Sequence, residues 1–258
     1  MTAREDVAFL TGSEIRIAVL RALRSGEHRP SELAAECSCA RETAQRAVTA
    51  FVERGWAEKV STSDGYRLTR AGVLVARSYD EFEECMDVAN RFEHLLSNLR
   101  GTAEEIECET LSGTTYAQST AENPHAPIDR FLAIVGDEPV EQFRGVTPIV
   151  SRVFNEAAGS VIGPETQVEL IVDKDVLQTS ATEYPESLER AKGLDGFTLY
   201  VSQEPLEFGL LLVDGHAYLG AYDEHGNLVA SADSAEAGFV EWVTEAFARV
   251  RANATEWD

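Results

Sequence analysis

The chain has 258 residues, with 22 Lys+Arg against 45 Asp+Glu and a formal net charge of -23. Hydrophobic residues at 44% and aromatics at 8% are enough to bury real cores, which excludes wholesale disorder. No apolar run approaches the roughly 18 residues of a membrane span, and the start MTAREDVAFL is charged where a secretion signal is apolar. The expected location is therefore the cytoplasm, with no membrane partner.

Taken in chain order, Glu5 to Leu10 suits a short helix. Ser13 is placed to cap EIRIAVLRALRSG, with Ile15, Val19, Ala22 and Leu23 on one face and Gly26 as terminator. Pro30 opens a helix over SELAAE. After CSCA, the stretch RETAQRAVTAFVERG repeats apolar residues at Ala44, Ala47, Val48, Phe51 and Val52, and Gly55 ends it. WAEKV and YRLT flank the turn STSDG. Helices followed by a hairpin in this order predict a winged helix-turn-helix over residues 1–75.

In that geometry the second helix of the turn enters the major groove and its first residues reach base edges. Those residues are Arg41, Glu42, Thr43, Gln45 and Arg46. Arg can grip guanine and Gln adenine with two hydrogen bonds each. Lys59, Arg67 and Arg70 fall on or near the hairpin, where cations contact phosphates. The expected partner is double-stranded DNA. The acid surplus does not oppose this, because it is uneven. Residues 1–75 hold 11 Lys+Arg and 10 Asp+Glu, whereas residues 76–258 hold 11 and 35. The lysines are Lys59, Lys174 and Lys192 alone. Such a composition suits a halophilic cell full of salt, where a Debye length of about 3 Å at 1 M confines charge effects to near neighbours.

The segments EDVAFLTGSEIRIAVLRALRSG, RETAQRAVTAFVERGW and YRLTRAGVLVA resemble the winged-helix transcription regulators of haloarchaea that carry a methanogenesis-regulator (FilR-type) effector domain. FRGVTPIVS and EFGLLLVDGHAYLGAYDEHGNLVA are similar to that effector part. The resemblance covers nearly the whole chain and implies a dimeric archaeal repressor or activator of transcription, with a ligand-binding domain. One position departs from the pattern: Ala40 stands where such proteins have Ser or Thr capping the recognition helix.

Beyond the hairpin, residues 71–99 read as one long helix. Its apolar positions include Tyr79, Phe82, Met86, Ala89, Phe92 and Leu96, a heptad pattern that suits pairing with a second copy of the chain. The alternative is that this face packs on its own C-terminal domain. A two-fold dimer implies a palindromic operator. Residues 76–100 are thus assigned to linking and dimerisation.

Residues 101–258 read as a mixed α/β effector-binding or assembly domain, so the whole is α+β with an α/β second part. IECETLSG looks like a strand, PIDRFLAIV a helix, IVSRVFNEAAGSVI an amphipathic helix and VELIVD a buried strand. YPESLERAK is a helix and FTLYVS a strand. FGLLLVD, GHAYLGAYD and NLVASAD form a meander that turns at Asp214-Gly215 and Gly226-Asn227. GFVEWVTEAFARVRA closes the chain as an amphipathic helix.

No catalytic motif is present: no GxSxG, no HExxH and no phosphate-binding loop. The expected protein is not an enzyme and has no cofactor or resident metal. His28, His94, His125, His216 and His225 are scattered. Cys37 and Cys39 read as small packing residues, and four irregularly spaced cysteines argue against a disulfide framework. An effector pocket is expected where strands of an open sheet end. Arg144 precedes a helix whose N-terminus, near Thr147 and Ser151, favours an anion; Arg152 lies a turn further on. Tyr200, Tyr218 and Tyr222 could wall such a pocket, so an anionic small molecule is the expected effector. Two other readings stay open: a small enzyme whose N-terminal part dimerises, and an adaptor whose winged helix binds protein.

Overall fold

The computed structural model describes residues 2–257. The chain divides into two compact units, Met1–Glu84 and Cys85–Asp258.

The first unit contains α1 (Ala3–Thr11), α2 (Glu14–Ala22) with a 3₁₀ turn at Leu23–Ser25, α3 (Pro30–Glu36) and α4 (Arg41–Glu53). The hairpin β1 (Ala57–Lys59) and β2 (Tyr66–Leu68) follows, then α5 (Arg70–Arg91), which crosses into the second unit. This is a winged helix-turn-helix. α1 starts on a capping box in which Thr2 Oγ1 accepts from Glu5 N at 3.3 Å and Glu5 accepts from Thr2 N at 2.8 Å. Ser13 occupies the cap of α2, but its hydroxyl makes no cap hydrogen bond there. α4 begins at Arg41 on Ala40, also without a side-chain cap. Ser38 lies upstream of this cap. It takes φ 51° in the tight turn between α3 and α4.

The core of this unit gathers Val19, Leu20, Leu33, Ala44, Val48 and Phe51, all at or near zero exposure. Phe51 meets Phe9 edge-on, with ring centroids 6.2 Å apart, and Trp56 at 5.9 Å. Emptying the Phe51 site costs about 3–5 kcal/mol by analogy with other core phenylalanines. His28 and Tyr66 exchange backbone hydrogen bonds at 2.8 and 3.0 Å, which pins the wing to the segment before α3.

The second unit adds α6 (Glu93–Asn98), a 3₁₀ turn at Gly101–Glu105, α7 (Cys108–Leu111), β3 (Thr115–Gln118), α8 (Ala126–Val135), β4 (Gln142–Thr147), α9 (Arg152–Val161) and β5 (Gln167–Val172). After these come α10 (Lys174–Glu183), α11 (Pro185–Lys192), β6 (Phe197–Ser202), β7 (Phe208–Val213), β8 (His216–Tyr222), β9 (Leu228–Ser234), α12 (Ala237–Ala252) and β10 (Ala254–Glu256). The strands form one mixed sheet in the order β10-β6-β5-β4-β7-β8-β9-β3, with β4, β5 and β6 parallel and the other pairs antiparallel. The β7–β8 turn places Asp214 and Gly215 at φ 42° and 84°, both left-handed, as a two-residue hairpin requires.

Alternate residues of each strand serve opposite faces. Val146, Ile171, Tyr200, Leu210 and Leu219 pack with α6 and α12. Phe143, Val168, Leu211 and Tyr218 pack with α8 and α9, and Leu199 and Val172 pack with α10 and α11.

Three expectations are corrected here. The helix over 71–99 is broken at Phe92, whose ψ of 14° separates α5 from α6. Phe92 and Leu95 have no exposure, so Phe92 is spent on the second unit's own core, and Leu96 packs beside them half-buried. IECETLSG forms a 3₁₀ end and α7, not a strand. A disulfide joins Cys85 on α5 to Cys108 at the start of α7, with Cα atoms 5.3 Å apart. Spacing along the chain did not point to that pair, because the fold brings the two positions together.

Candidate nucleic-acid interface and effector cavity

α4 buries Ala44, Ala47, Val48 and Phe51, and that choice leaves Arg41, Glu42 and Arg46 exposed, with Thr43 and Gln45 half-buried. Among the described residues no carboxylate pairs with Arg41 or Arg46. The Arg46 guanidinium reaches only Glu42 O at 3.3 Å and Thr43 Oγ1 at 3.4 Å. Glu36, the nearest acid upstream, faces His28 Nε2 at 3.4 Å. Gln45 is held differently: its Nε2 donates to Thr49 Oγ1 and to the Tyr66 hydroxyl, both at 3.2 Å. The side chain therefore ties α4 to the wing. On the hairpin, Lys59 pairs with Asp64 at 3.3 Å and Arg67 with Glu58 at 2.7 Å. Arg70, exposed at the start of α5, has no carboxylate partner among the described residues. Arg29 was missed by the sequence reading. It is exposed just before α3, the first helix of the turn; its backbone N–H donates to Glu32 Oε2 at 2.7 Å, but its guanidinium likewise has no carboxylate partner among the described residues. Cys37 and Cys39 pack against the core, and burial pushes the Cys37 thiol above its usual range.

In the second unit, a cavity of about 270 Å³ lies between the sheet face of β4–β8 and the helices α8–α11. Its floor carries Phe143, Gly145, Thr147, Leu170, Leu199, Gly209, Tyr218 and Tyr222; Phe131, Phe154, Leu188 and Arg190 stand among its helical walls. The expected effector residues are divided by the sheet. Thr147, Ser151, Tyr218 and Tyr222 line the cavity. Arg144 and Tyr200 do not, because odd and even positions of a strand point to opposite faces. Arg144 pairs with Glu169 at 2.9 Å on the far face. Tyr200 is buried there under the Arg251 guanidinium, 3.3 Å from its ring centroid. Arg152 projects to solvent and pairs with Glu156 at 2.7 Å. The anion site expected at Arg144 and Arg152 is thus corrected: both guanidinium groups are matched outside the cavity.

The polar groups that do face the cavity region are unequal. Thr147 Oγ1 donates to Ile149 O at 2.9 Å, and Ser151 Oγ accepts from Phe154 N at 3.4 Å, capping α9. The Tyr218 hydroxyl donates to Pro127 O at 3.2 Å. Among the described residues none hydrogen-bonds the Tyr222 hydroxyl. Burial pushes both phenols up; at Tyr218 the neighbouring Tyr222 adds to it. Behind the cavity, the carboxylate of Asp233 is 1% exposed. It accepts from Arg130 Nε at 2.9 Å and lies 3.0 Å from His216 Nε2. The hydrogen bond that Arg130 donates to Asp233 raises the Arg130 pKa above its usual value.

Among the described residues no group of three or more His, Cys, Asp and Glu is arranged to hold a metal ion, and no helix is long and apolar enough to cross a membrane.

Comparison with known proteins was made at three levels. No curated protein matches the chain. Among solved structures, it is similar to TrmBL2, described as an archaeal chromatin protein with a novel mode of DNA binding. That likeness has 12% identity, covers 99% of this chain and 100% of the other, and has a TM-score of 0.42. It is also similar to ZitR of Lactococcus lactis, with 13% identity, 41% and 89% covered and a TM-score of 0.27. A third likeness is to the riboflavin-derivative dimethyltransferase RosA of Streptomyces davawensis, with 13% identity, 79% and 68% covered and a TM-score of 0.25. At these scores none of the three carries an argument. The family models are more telling. Residues 4–91 match the HVO_A0261 N-terminal domain. Residues 124–253, half of the chain, match the middle domain of the methanogenesis regulatory protein FilR1, and the chain belongs to this FilR1 family of transcriptional regulators.

Proposed function

We propose that this regulator binds duplex DNA through α4 as a homodimer on a palindromic operator, and that a ligand in the second unit changes operator affinity. The observation that carries the reading is the pair Arg41 and Arg46, exposed on the first turns of α4 and unmatched by any carboxylate among the described residues. Acids outnumber bases about two to one in this chain, so two exposed guanidinium groups on one helix, without a carboxylate partner among the described residues, support a surface kept for an anion. Arg29 and Arg70 are candidates for phosphate contacts on the same terms. Pairing would use the exposed apolar stripe of α5, where Phe82 is 57% and Met86 48% exposed and Ala89 is open. Tyr79 would contribute only its edge, since it packs on the first unit's core and its hydroxyl donates to Glu83 at 3.2 Å. The ligand would act by binding more tightly to one of two conformers that differ in operator affinity.

The test is selection from random duplex oligonucleotides by the full chain in molar potassium chloride, with light scattering for stoichiometry. A selected inverted repeat bound by two chains is expected. Phe82→Glu should shift the chain toward monomer and lower operator affinity. Recovery of no preferred sequence, or a monomer that binds a single half-site as tightly, would overturn the reading.

A further inference from the structure

The cavity of the second unit differs in chemistry between its interior and its rim. Inside stand the rings of Phe131, Phe143 and Phe154 with Leu170 and Leu199. Two glycines keep its floor open. A Cβ on Gly145 would come within 3.1 Å of Leu170 Cδ1, and one on Gly209 within 2.9 Å of the Tyr222 hydroxyl. That hydroxyl is one polar atom without a protein partner among the described residues.

Arg190, exposed on α11, is a cation of the lining without a carboxylate partner among the described residues. Every other arginine of this unit is engaged. Arg130, Arg144, Arg152 and Arg249 hold carboxylates. Arg91 and Arg100 hold backbone carbonyls, and Arg251 lies over Tyr200. Among the described residues Arg190 has none of these, although residues 76–258 hold 35 acids to 11 bases. A lone cation beside an apolar chamber selects for one negative charge on an apolar body. A polyanion would need more cations than the lining supplies, since Arg190 is the only charged residue in it among the described residues. At about 270 Å³ the chamber lies just below the ~300–1,000 Å³ usual for small-molecule sites, which suits a single ring or a short chain.

We infer that the cavity binds a small apolar monocarboxylate, its hydrocarbon part among Phe131, Phe143 and Phe154, its carboxylate on Arg190, and Tyr222 free to donate to a polar substituent. This rests on the reading of the second unit as the ligand-responsive part. The test is calorimetric titration of the full chain in molar potassium chloride with octanoate and hydrocinnamate, their primary amides, and acetate. At least one of the two larger acids should bind, its amide at least about threefold more weakly, and acetate not at all; the factor is modest because an exposed ion pair is screened. Arg190→Gln should bring the acid down to its amide and leave the amide unchanged. Gly145→Val should abolish both by filling the floor. If that variant does not fold, Arg190→Gln decides alone, being an exposed helix position. Equal binding of acid and amide, no binding of either acid at millimolar concentration, or an acid-to-amide ratio untouched by Arg190→Gln would overturn the inference. Operator affinity is measured in parallel. An acid that binds as described but leaves operator affinity unchanged supports the ligand class and overturns the sensing role. A chain that binds operator normally but takes neither acid overturns the ligand class alone.

Discussion

α4 and α9 are both amphipathic helices with an arginine in the first turn, yet their surroundings differ. Arg152 of α9 meets Glu156 at 2.7 Å on the solvent side. Arg41 and Arg46 of α4 meet no carboxylate among the described residues, although Glu42 lies between them in sequence. Guanidinium groups by themselves therefore do not mark a binding face. What marks it is the lack of an acid within reach in a chain that has acids to spare. The same reasoning moves attention in the second unit from Arg144, which Glu169 satisfies, to Arg190.

The largest expected effect tests whether the two units are separate energetically. Arg130→Ala leaves the Asp233 carboxylate, 1% exposed, with only His216 beside it. Breaking one side of a buried pair costs about 3–5 kcal/mol. Calorimetry should show the transition of the second unit falling while that of the first holds. A joint fall of both would mean that the division at Glu84 is geometric and not cooperative. Next in size is the Cys85–Cys108 disulfide. It closes a loop across 23 positions, and removing it by Cys108→Ser should cost about 3 kcal/mol, again in the second unit alone. Unchanged melting under reductant would remove the bond from the stability of this unit.

The DNA face comes third. Arg41→Ala and Arg46→Ala should each relax operator preference by about 1–3 kcal/mol at one base position. Gln45→Ala is expected to act more broadly, because Gln45 bridges α4 to Tyr66 of the wing. Affinity for all sequences should drop with little change of preference. Quantitative competition among operator variants separates the two patterns. Uniform loss for Arg41→Ala would demote that residue from base reading to phosphate contact.

These regions also differ in how much of them the sequence disclosed. Helix faces were legible because burial repeats along the chain: Ala44, Ala47, Val48 and Phe51 mark the inner side of α4 without reference to anything distant. The meander was legible for a different local reason, the turn chemistry of Asp214-Gly215, since its strands are buried almost continuously. The cavity was not. Arg144 and Thr147 are three positions apart, so they leave β4 on opposite faces, and only the pairing register shows which face α8–α11 cover. Arg190 had no local signal at all, since its meaning lies in the absence of a partner. α10 carries no such signal, because KDVLQTSATE lacks a clear apolar stripe and Val176 is its one buried position among the described residues. The break at Phe92 was hidden because the heptad spacing runs on through it.

A smaller effect appears at high pH. Burial raises the Tyr218 and Tyr222 phenols above the ordinary value of about 10. The folded form then holds protons that the unfolded form releases, so stability is complete below pH 10 and declines as pH rises above it. Tyr222→Phe should flatten part of that decline in the second unit's transition and leave the neutral-pH ligand affinity of simple monocarboxylates nearly unchanged.

The smallest expected effect belongs to Arg152, and its value is as a control for the opening comparison. Its pair with Glu156 is exposed on both sides, at 77% and 64%, and such i,i+4 pairs are screened by salt. Hydrogen bonding to Glu156 raises the Arg152 pKa, but the charge is present at any working pH with or without that help. Arg152→Ala should therefore leave melting, operator affinity and monocarboxylate affinity where they were. If it weakened ligand binding as much as Arg190→Gln, a satisfied arginine outside the cavity would be acting on the site, and partner-free placement would no longer separate binding arginines from solvated ones in this chain.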